Sequence, residues 1–310
     1  MGKLINGKWV KSSIITSDKL GNYDRQPRTL RNFISFENKV FKPESGRYHL
    51  YVSYACPWAT RTLIYRSIKK LENHISVSVV HPDMLENGWS FKKTFPKTTG
   101  DDLFGFKYLY QIYQKSEPNI TSSVTVPVLW DKKTNKIVNN ESSEIIRMLN
   151  FSFNKIAGNE SDYYPKHLQA KIDKWNKKIY DSVNNGVYKS GFAKTQIAYD
   201  NAVIKLFKTL DKLESHFKSN NYLVGNELTE ADIRLIPTLL RFDIVYYVHF
   251  KTNIKRIKDY PNISSYIKKL MSNKAISKNH FSNHIKRHYY YSHESINPLR
   301  IIPKGPKEQY

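Results

Sequence analysis

One cysteine, Cys56, occurs in the 310 residues. This excludes an internal disulfide, a cysteine-rich zinc site and a two-cysteine redox centre, and it fits a reducing compartment such as the cytosol. There is no run of about 18 apolar residues, so no membrane-spanning helix is expected. The stretch Met1–Val10 lacks an apolar core flanked by a cleavage site, so no signal peptide is expected. No internal repeat and no low-complexity segment is found. Acidic side chains are scarce: 27 Asp plus Glu stand against 50 Lys plus Arg, a net charge of +23. Such an excess can mark a nucleic-acid binder. Here it is spread along the chain, somewhat denser after Lys251, without zinc-finger spacing, a Gly-rich RNA-binding signature or a compact basic arm. Nucleic acid is therefore not the expected partner, and an anionic small substrate suits a positive field as well.

What is present is a globular composition, 40% hydrophobic and 25% charged, in a chain long enough for two domains. Residues 1–40, rich in turn formers and arginine, read as an irregular arm. Tyr48–Tyr54 is an aromatic and β-branched run with strand propensity. Ala55-Cys56-Pro57-Trp58 follows, and Ala59–Leu71 reads as a helix whose first turn suits Pro57, because the missing N–H would have no helical partner there. Ile75–Val80 is a second strand. Lys92–Asp102 reads as loop and Leu109–Tyr113 as a short helix. Thr125–Asp131 and Lys136–Asn139 read as a hairpin, and Glu141–Leu149 as a helix. The order βαβ, then αββα, predicts an α/β thioredoxin-like domain over residues 41–155, with a mixed sheet and helices on both faces. From residue 160 to 310 the pattern turns helical, with apolar spacing over Lys166–Asn185, Lys194–Lys218, Glu230–Tyr247 and Asn262–Met271. Thr229-Glu230-Ala231-Asp232 has the form of a capping box. An all-α C-terminal domain ending in an aromatic, basic tail from His284 is expected.

Cys56 falls at a strand-to-helix junction, where first-turn amides and the helix dipole favour a thiolate. A buried structural cysteine is the competing reading. Three residues on, where a dithiol enzyme has its resolving cysteine, stands Ala59. Any disulfide made by Cys56 must therefore be with another molecule and be resolved by an external thiol, for which glutathione is the obvious cytosolic candidate. A cis peptide at Pro127 would expose the backbone of Val126 to an extended peptide such as glutathione. An ordinary trans proline at a strand edge is equally consistent. Glu141-Ser142 opens a helix and can bind a carboxylate, or simply cap it.

Several segments together resemble the glutathionyl-hydroquinone reductases, the xi class of the glutathione transferase superfamily. They are Tyr54-Ala55-Cys56-Pro57-Trp58-Ala59, Glu86-Asn87-Gly88-Trp89, Val124-Thr125-Val126-Pro127-Val128-Leu129-Trp130-Asp131 and Asn140-Glu141-Ser142-Ser143-Glu144. In the C-terminal half they are Asn184-Asn185-Gly186-Val187-Tyr188-Lys189-Ser190-Gly191-Phe192-Ala193, Arg241-Phe242-Asp243, His288-Tyr289-Tyr290, Ser292-His293 and Ile296-Asn297-Pro298. The resemblance runs from about Tyr48 to Pro306 and is specific in combination, whereas a lone Cys-Pro is shared with omega-class transferases and glutaredoxins. It implies an omega-like transferase fold, a thioredoxin-like domain followed by an all-α domain, in a cytoplasmic homodimer. It implies glutathione as co-substrate and no metal. Cys56 would attack the sulfur of a glutathionyl-hydroquinone, leaving a mixed disulfide that a second glutathione resolves.

By the same resemblance Trp89 lines the glutathione site, Thr125 and Val126 hold its backbone within the run from Ser123 and Val124, and Glu141 with Ser142 holds its γ-glutamyl end. Tyr188 matches an acid/base, which the chemistry needs because the aromatic carbon leaving sulfur must gain a proton. Tyr246 and Tyr289 match tyrosines near the cysteine whose hydroxyls can stabilise a thiolate; with Tyr290 and Tyr291 adjacent, the match to Tyr289 can slip by one. In one place the chain departs from the class. An arginine that helps bind glutathione commonly precedes the Val-Thr-Val-Pro run, and here that residue is Ser123. A hydroxyl cannot replace a guanidinium fork paired to a carboxylate, so either glutathione binds more weakly or another cation compensates. Two other readings compete: an omega-like thiol transferase or dehydroascorbate reductase, which would not need the three tyrosines together, and a non-catalytic transferase-like binding module. The natural quinone is not legible.

Overall fold

The structure, a computed structural model, describes residues 2–12 and 15–307. Two compact units emerge. Of these, the first holds residues 2–12, 27–162 and 283–288, and the second residues 15–26, 163–282 and 289–307.

The centre of the first unit is a four-stranded sheet in the order 136–139, 128–131, 48–52, 75–79. Tyr48–Val52 is buried at every position, as a central strand covered on both faces must be. It runs parallel to Ile75–Val79, with Tyr48 beside Ile75 and Val52 beside Val79. On its other side it runs antiparallel to Val128–Asp131, with Tyr51 beside Val128 and Tyr48 beside Asp131. Lys136–Asn139 closes the edge as a hairpin partner. The strand expected from Thr125 begins only at Val128, because Pro127 has no N–H to give a ladder. Helix Pro57–Ile68 packs with helix Ser142–Phe151, and Leu109–Ser116 packs against the edge strand. At the far end of the sheet Arg47 forks onto Asp131, Nε to Oδ1 at 2.7 Å and Nη2 to Oδ2 at 2.6 Å. Asp131 is fully buried.

The arm is not irregular at its start, although residues 25–40 form no helix or strand. Gly2–Ile5 and Lys8–Lys11 form an antiparallel hairpin around Asn6-Gly7, both at positive φ, the dipeptide that a tight primed turn selects. Gly2–Ile5 also pairs antiparallel with Ser122–Ser123, making a separate three-stranded sheet.

In the second unit the helices are Gln169–Ile179, Gly186–Gly191, Gln196–Phe217, Glu230–Arg241 and Pro261–Met271. The capping box is formed: Thr229 N–H donates to Asp232 at 2.9 Å. Two helices read as continuous are broken by π-helical turns, Tyr180–Asn184 and Phe242–Tyr246. Residues 293–307 of the expected tail form no helix or strand, but its start at His284 lies in a helix, Ser282–Ser292. Its buried stripe is Ile285, His288, Tyr289 and Ser292, helically spaced but too polar to register as amphipathic. Among the described residues no helix is long and apolar enough to cross a membrane.

Candidate active site

Cys56 is the N-cap of helix Pro57–Ile68, extended at φ −78° and ψ 119°, with Pro57 in the first turn. A turn built on Ser53 holds it there: Ser53 O accepts from the Cys56 amide at 3.1 Å, and Ser53 Oγ accepts from the Ala55 amide at 3.2 Å. The side chain is partly exposed. As a thiol it donates to Val126 O at 3.6 Å. The strand-to-helix placement read from the sequence is therefore the observed one.

Val126 joins Pro127 through a cis peptide. Among the described residues the Val126 N–H has no partner. The preceding residue is clamped by a side chain that the sequence reading missed. Tyr113 Oη donates to Thr125 O at 2.9 Å and accepts from Thr125 N at 3.2 Å. Asn140 Nδ2 also donates to it, at 3.3 Å. Tyr113 lies on the buried face of helix Leu109–Ser116, where its apolar spacing signalled only packing. The buried Thr125 hydroxyl has no partner among the described residues. Val124 and Val126 are buried, and Ser123 lies in the short strand paired with Gly2–Ile5.

Glu141 caps helix Ser142–Phe151, accepting from the Ser143 amide at 3.0 Å. Its carboxylate also takes the hydroxyls of Ser143 and Ser142, at 3.0 and 3.4 Å. The simple cap is thus real: it fixes a carboxylate beside the Ser142 hydroxyl, and Glu141 takes the amides of Ser143 and Glu144. Trp89, in the short pair Met84–Leu85 and Gly88–Trp89, is buried and stacks on His288 with centroids 4.7 Å apart. His288 Nδ1 donates to Pro82 O at 2.8 Å, which fixes the ring. The next residue back, Arg287, forks onto Asp83 at 2.7 and 2.8 Å.

The second unit brings all three nominated tyrosines into one hydrogen-bonded chain. Tyr188 Oη and Tyr289 Oη are 2.6 Å apart, and Tyr246 Oη is 3.1 Å from Tyr289 Oη. Tyr289 is 1% exposed and Tyr246 fully buried, while Tyr188, at 9%, keeps the most access. Burial pushes the Tyr289 phenol well above its ordinary value. Tyr188 and Tyr246 add to this, and Arg241 opposes it. Tyr289 therefore stays a neutral phenol at neutral pH, able to donate one hydrogen bond and accept another. Of the adjacent tyrosines, Tyr289 joins this chain, while Tyr290 Oη bonds Ile244 O instead.

The π-helical turns frame this chain: Phe242–Tyr246 ends on Tyr246, and Tyr180–Asn184 precedes the short helix that carries Tyr188. Such turns recur at functional sites. Asn184 anchors the first, donating to Arg234 O at 3.1 Å and Thr238 Oγ1 at 2.8 Å. Phe250 stacks on Tyr246 at 5.3 Å and lies 5.4 Å from Tyr188. Arg25, from the segment read as arm, lies over the Tyr188 ring at 6.0 Å; nothing in its sequence context marked it. No group of three or more metal-ligating side chains occurs among the described residues.

Comparison with known proteins places these residues in context. A family model described as "Glutathione S-transferase, N-terminal domain" matches residues 55–150. Its C-terminal counterpart matches residues 196–269. The chain is 50% identical to the glutathionyl-hydroquinone reductase YqjG of Escherichia coli, over 99% of this chain and 95% of that one. It is 47% identical to the glutathionyl-hydroquinone reductase PcpF of Sphingobium chlorophenolicum, over 99% and 97%. Among solved structures, the glutathione-bound form of YqjG superposes with a TM-score of 0.91 at 48% identity, covering 99% of this chain and 96% of that one. The Xi transferase of Phanerochaete chrysosporium superposes with a TM-score of 0.91 at 51% identity, covering 94% and 95%.

Proposed function

The chain belongs to the Xi class of glutathione transferases, and on that premise we propose that it reduces S-glutathionyl-hydroquinones to hydroquinones with glutathione as co-substrate. The Cys56 thiolate attacks the glutathionyl sulfur. The sulfur–carbon bond breaks, its electron pair stays on the aromatic carbon, and that carbon takes a proton. A Cys56–glutathione disulfide remains. A second glutathione thiolate attacks this disulfide and returns Cys56 as thiolate. The balance is one glutathionyl-hydroquinone and one glutathione in, one hydroquinone and one oxidised glutathione out. With no second cysteine in the chain, the resolving thiol must come from solution.

The observation that carries this reading is the hydrogen-bonded chain Tyr188–Tyr289–Tyr246. A simple thiol transferase moves glutathione between sulfurs and has no carbon to protonate. A reductase that cleaves a carbon–sulfur bond needs an acid with a proton supply behind it. Tyr188, the most accessible of the three, is that acid. Trp89 lines the glutathione site, Val126 pairs with its backbone while Tyr113 holds both backbone groups of Thr125 on the other edge, and Glu141 with Ser142 receives its γ-glutamyl end, with Ser123 and Val124 at the other end of the same run. The protein acts in the cytosol as a homodimer in this reading.

The test is glutathione-dependent release of menadiol from glutathionyl-menadiol, with Cys56→Ala alongside. Release by the native chain and none by the variant is expected. No release by either, with glutathione still exchanging onto Cys56 by mass spectrometry, would replace this reading with a thiol transferase.

A further inference from the structure

The N-terminal hairpin carries a cation to the strand that leads into the candidate glutathione site. In the antiparallel pair between Gly2–Ile5 and Ser122–Ser123, Lys3 stands directly opposite Ser123 and Leu4 opposite Ser122. Residues opposed in this way share a face, with Cβ atoms roughly 4.5–5.5 Å apart. Side chains alternate along a strand. Leu4 is fully buried, so Lys3 and Ser123 lie on the other face. Lys3 is exposed, and among the described residues its ammonium has no acidic partner and no hydrogen bond.

From Ser123 the chain runs through Val124 and Thr125 to Val126, whose N–H is unpartnered and whose carbonyl faces Cys56. Given the reading above, a glutathione whose cysteinyl residue pairs with Val126 as an added antiparallel strand sends its γ-glutamyl end toward Glu141 and Ser142. Its glycyl residue then runs back along Thr125. At about 3.4 Å per residue its carboxylate ends near the level of Val124, one residue short of Ser123. Ser123 brings a hydroxyl there and no charge. The flexible four-carbon stem of the lysine opposite it can bring one.

We infer that Lys3 binds the glycyl carboxylate of glutathione, so that the N-terminal hairpin is part of the co-substrate site. The inference rests on glutathione pairing with Val126.

The experiment compares glutathione with its glycyl monoethyl ester, which lacks that carboxylate, by calorimetric binding to the reduced protein at low salt. The native chain is expected to favour glutathione over the ester by about 1.5- to 5-fold, the range of a solvent-exposed ion pair. Lys3→Met is expected to lose that preference, and Lys3→Arg to keep it. Ser123→Arg, which supplies a second cation on the same face, is expected to restore the preference in the Lys3→Met background. Lys3→Met discriminating as well as the native chain, while binding glutathione, overturns the role of Lys3 alone. If the native chain neither binds glutathione nor exchanges it onto Cys56, the functional reading falls and Lys3 with it. Equal thermal midpoints for the exposed variants would show that folding is not the cause.

Discussion

Tyr289→Phe removes one oxygen atom from the centre of the tyrosine chain and leaves the ring. The ring contacts survive: Tyr246 is T-shaped to it at 5.5 Å and Phe250 at 5.6 Å. What is lost is the bond to Tyr188 at 2.6 Å and the bond to Tyr246 at 3.1 Å. Two neutral hydrogen bonds amount to about 1–3 kcal/mol of stability. The effect on rate is different. When Tyr188 gives up its proton it becomes an anion, and the Tyr289 hydroxyl then donates to a charge, worth about 1.5–3 kcal/mol. That predicts menadiol release about 10- to 100-fold slower. Tyr188→Phe removes the acid itself and should cost about 100- to 10,000-fold. Because Tyr289 acts only through Tyr188, the double variant should be no slower than Tyr188→Phe alone. Single-turnover release from glutathionyl-menadiol measures all three. Tyr289→Phe within twofold of the native rate, or a double variant showing the product of the two single losses, would refute the relay. Tyr289 itself should not titrate near neutrality, because burial holds its phenol well above the ordinary value.

Two other substitutions test the frame around these groups. Asp131→Asn breaks the buried fork to Arg47 and should cost about 3–5 kcal/mol. The lower end is expected, since Arg47 keeps Glu44 and Val40 O. Burial opposes the Asp131 charge, yet the bonds from Arg47, Thr134 and the Lys133 amide outweigh it and hold the carboxyl below its ordinary value. Its stabilisation is therefore complete above the unfolded-state pKa of about 3.9 and is lost as pH falls through the lower folded value. Urea unfolding followed by the fluorescence of buried Trp130 should show the gap between native and variant closing below about pH 4, and a gap that stays constant would contradict this account. Gly191→Ala would set a Cβ 2.2 Å from the ring of Phe250, which is fully buried and packs on Tyr246 and Tyr188. An overpacking cost of about 1–3 kcal/mol is expected, with slower menadiol release but normal glutathione exchange onto Cys56. Equal loss of both activities would mean general misfolding instead.

The surroundings of Cys56 were largely legible because local rules write them. Pro57 marks the helix start, the strand before it is aromatic and β-branched, and those two signals fix Cys56 at the cap. The hairpin Val128–Asn139 and the box at Thr229 were readable for the same reason. The N-terminal hairpin was not read, although Asn6-Gly7 announced it. Its strands are four residues each, with only Leu4 and Ile5 or Trp9 and Val10 as apolar signal, too short for alternation to stand out. Tyr113 and Arg25 escaped because what they do depends on what they meet. One clamps a backbone 12 residues away, and the other lies over a ring 163 residues on.

The tyrosine chain was reached only through resemblance, and the fold explains why. The chain has 22 tyrosines, and the three whose hydroxyls meet are spaced by 58 and 43 residues with no local rule linking them. A regular helix advances about 100° per residue. One extra residue in each π-helical turn therefore redirects everything after it by about that angle relative to an unbroken helix. Tyr246 closes one such turn, and Tyr188 stands four residues past the other. Their convergence on Tyr289 depends on both insertions, and a reading of each stretch as one regular helix leaves both out. Asn184, whose amide spends two bonds on helix Glu230–Arg241, ties the first turn to the helix from which the second departs. The aim of the two tyrosines is thus set jointly, by a contact between residues 50 and more positions apart.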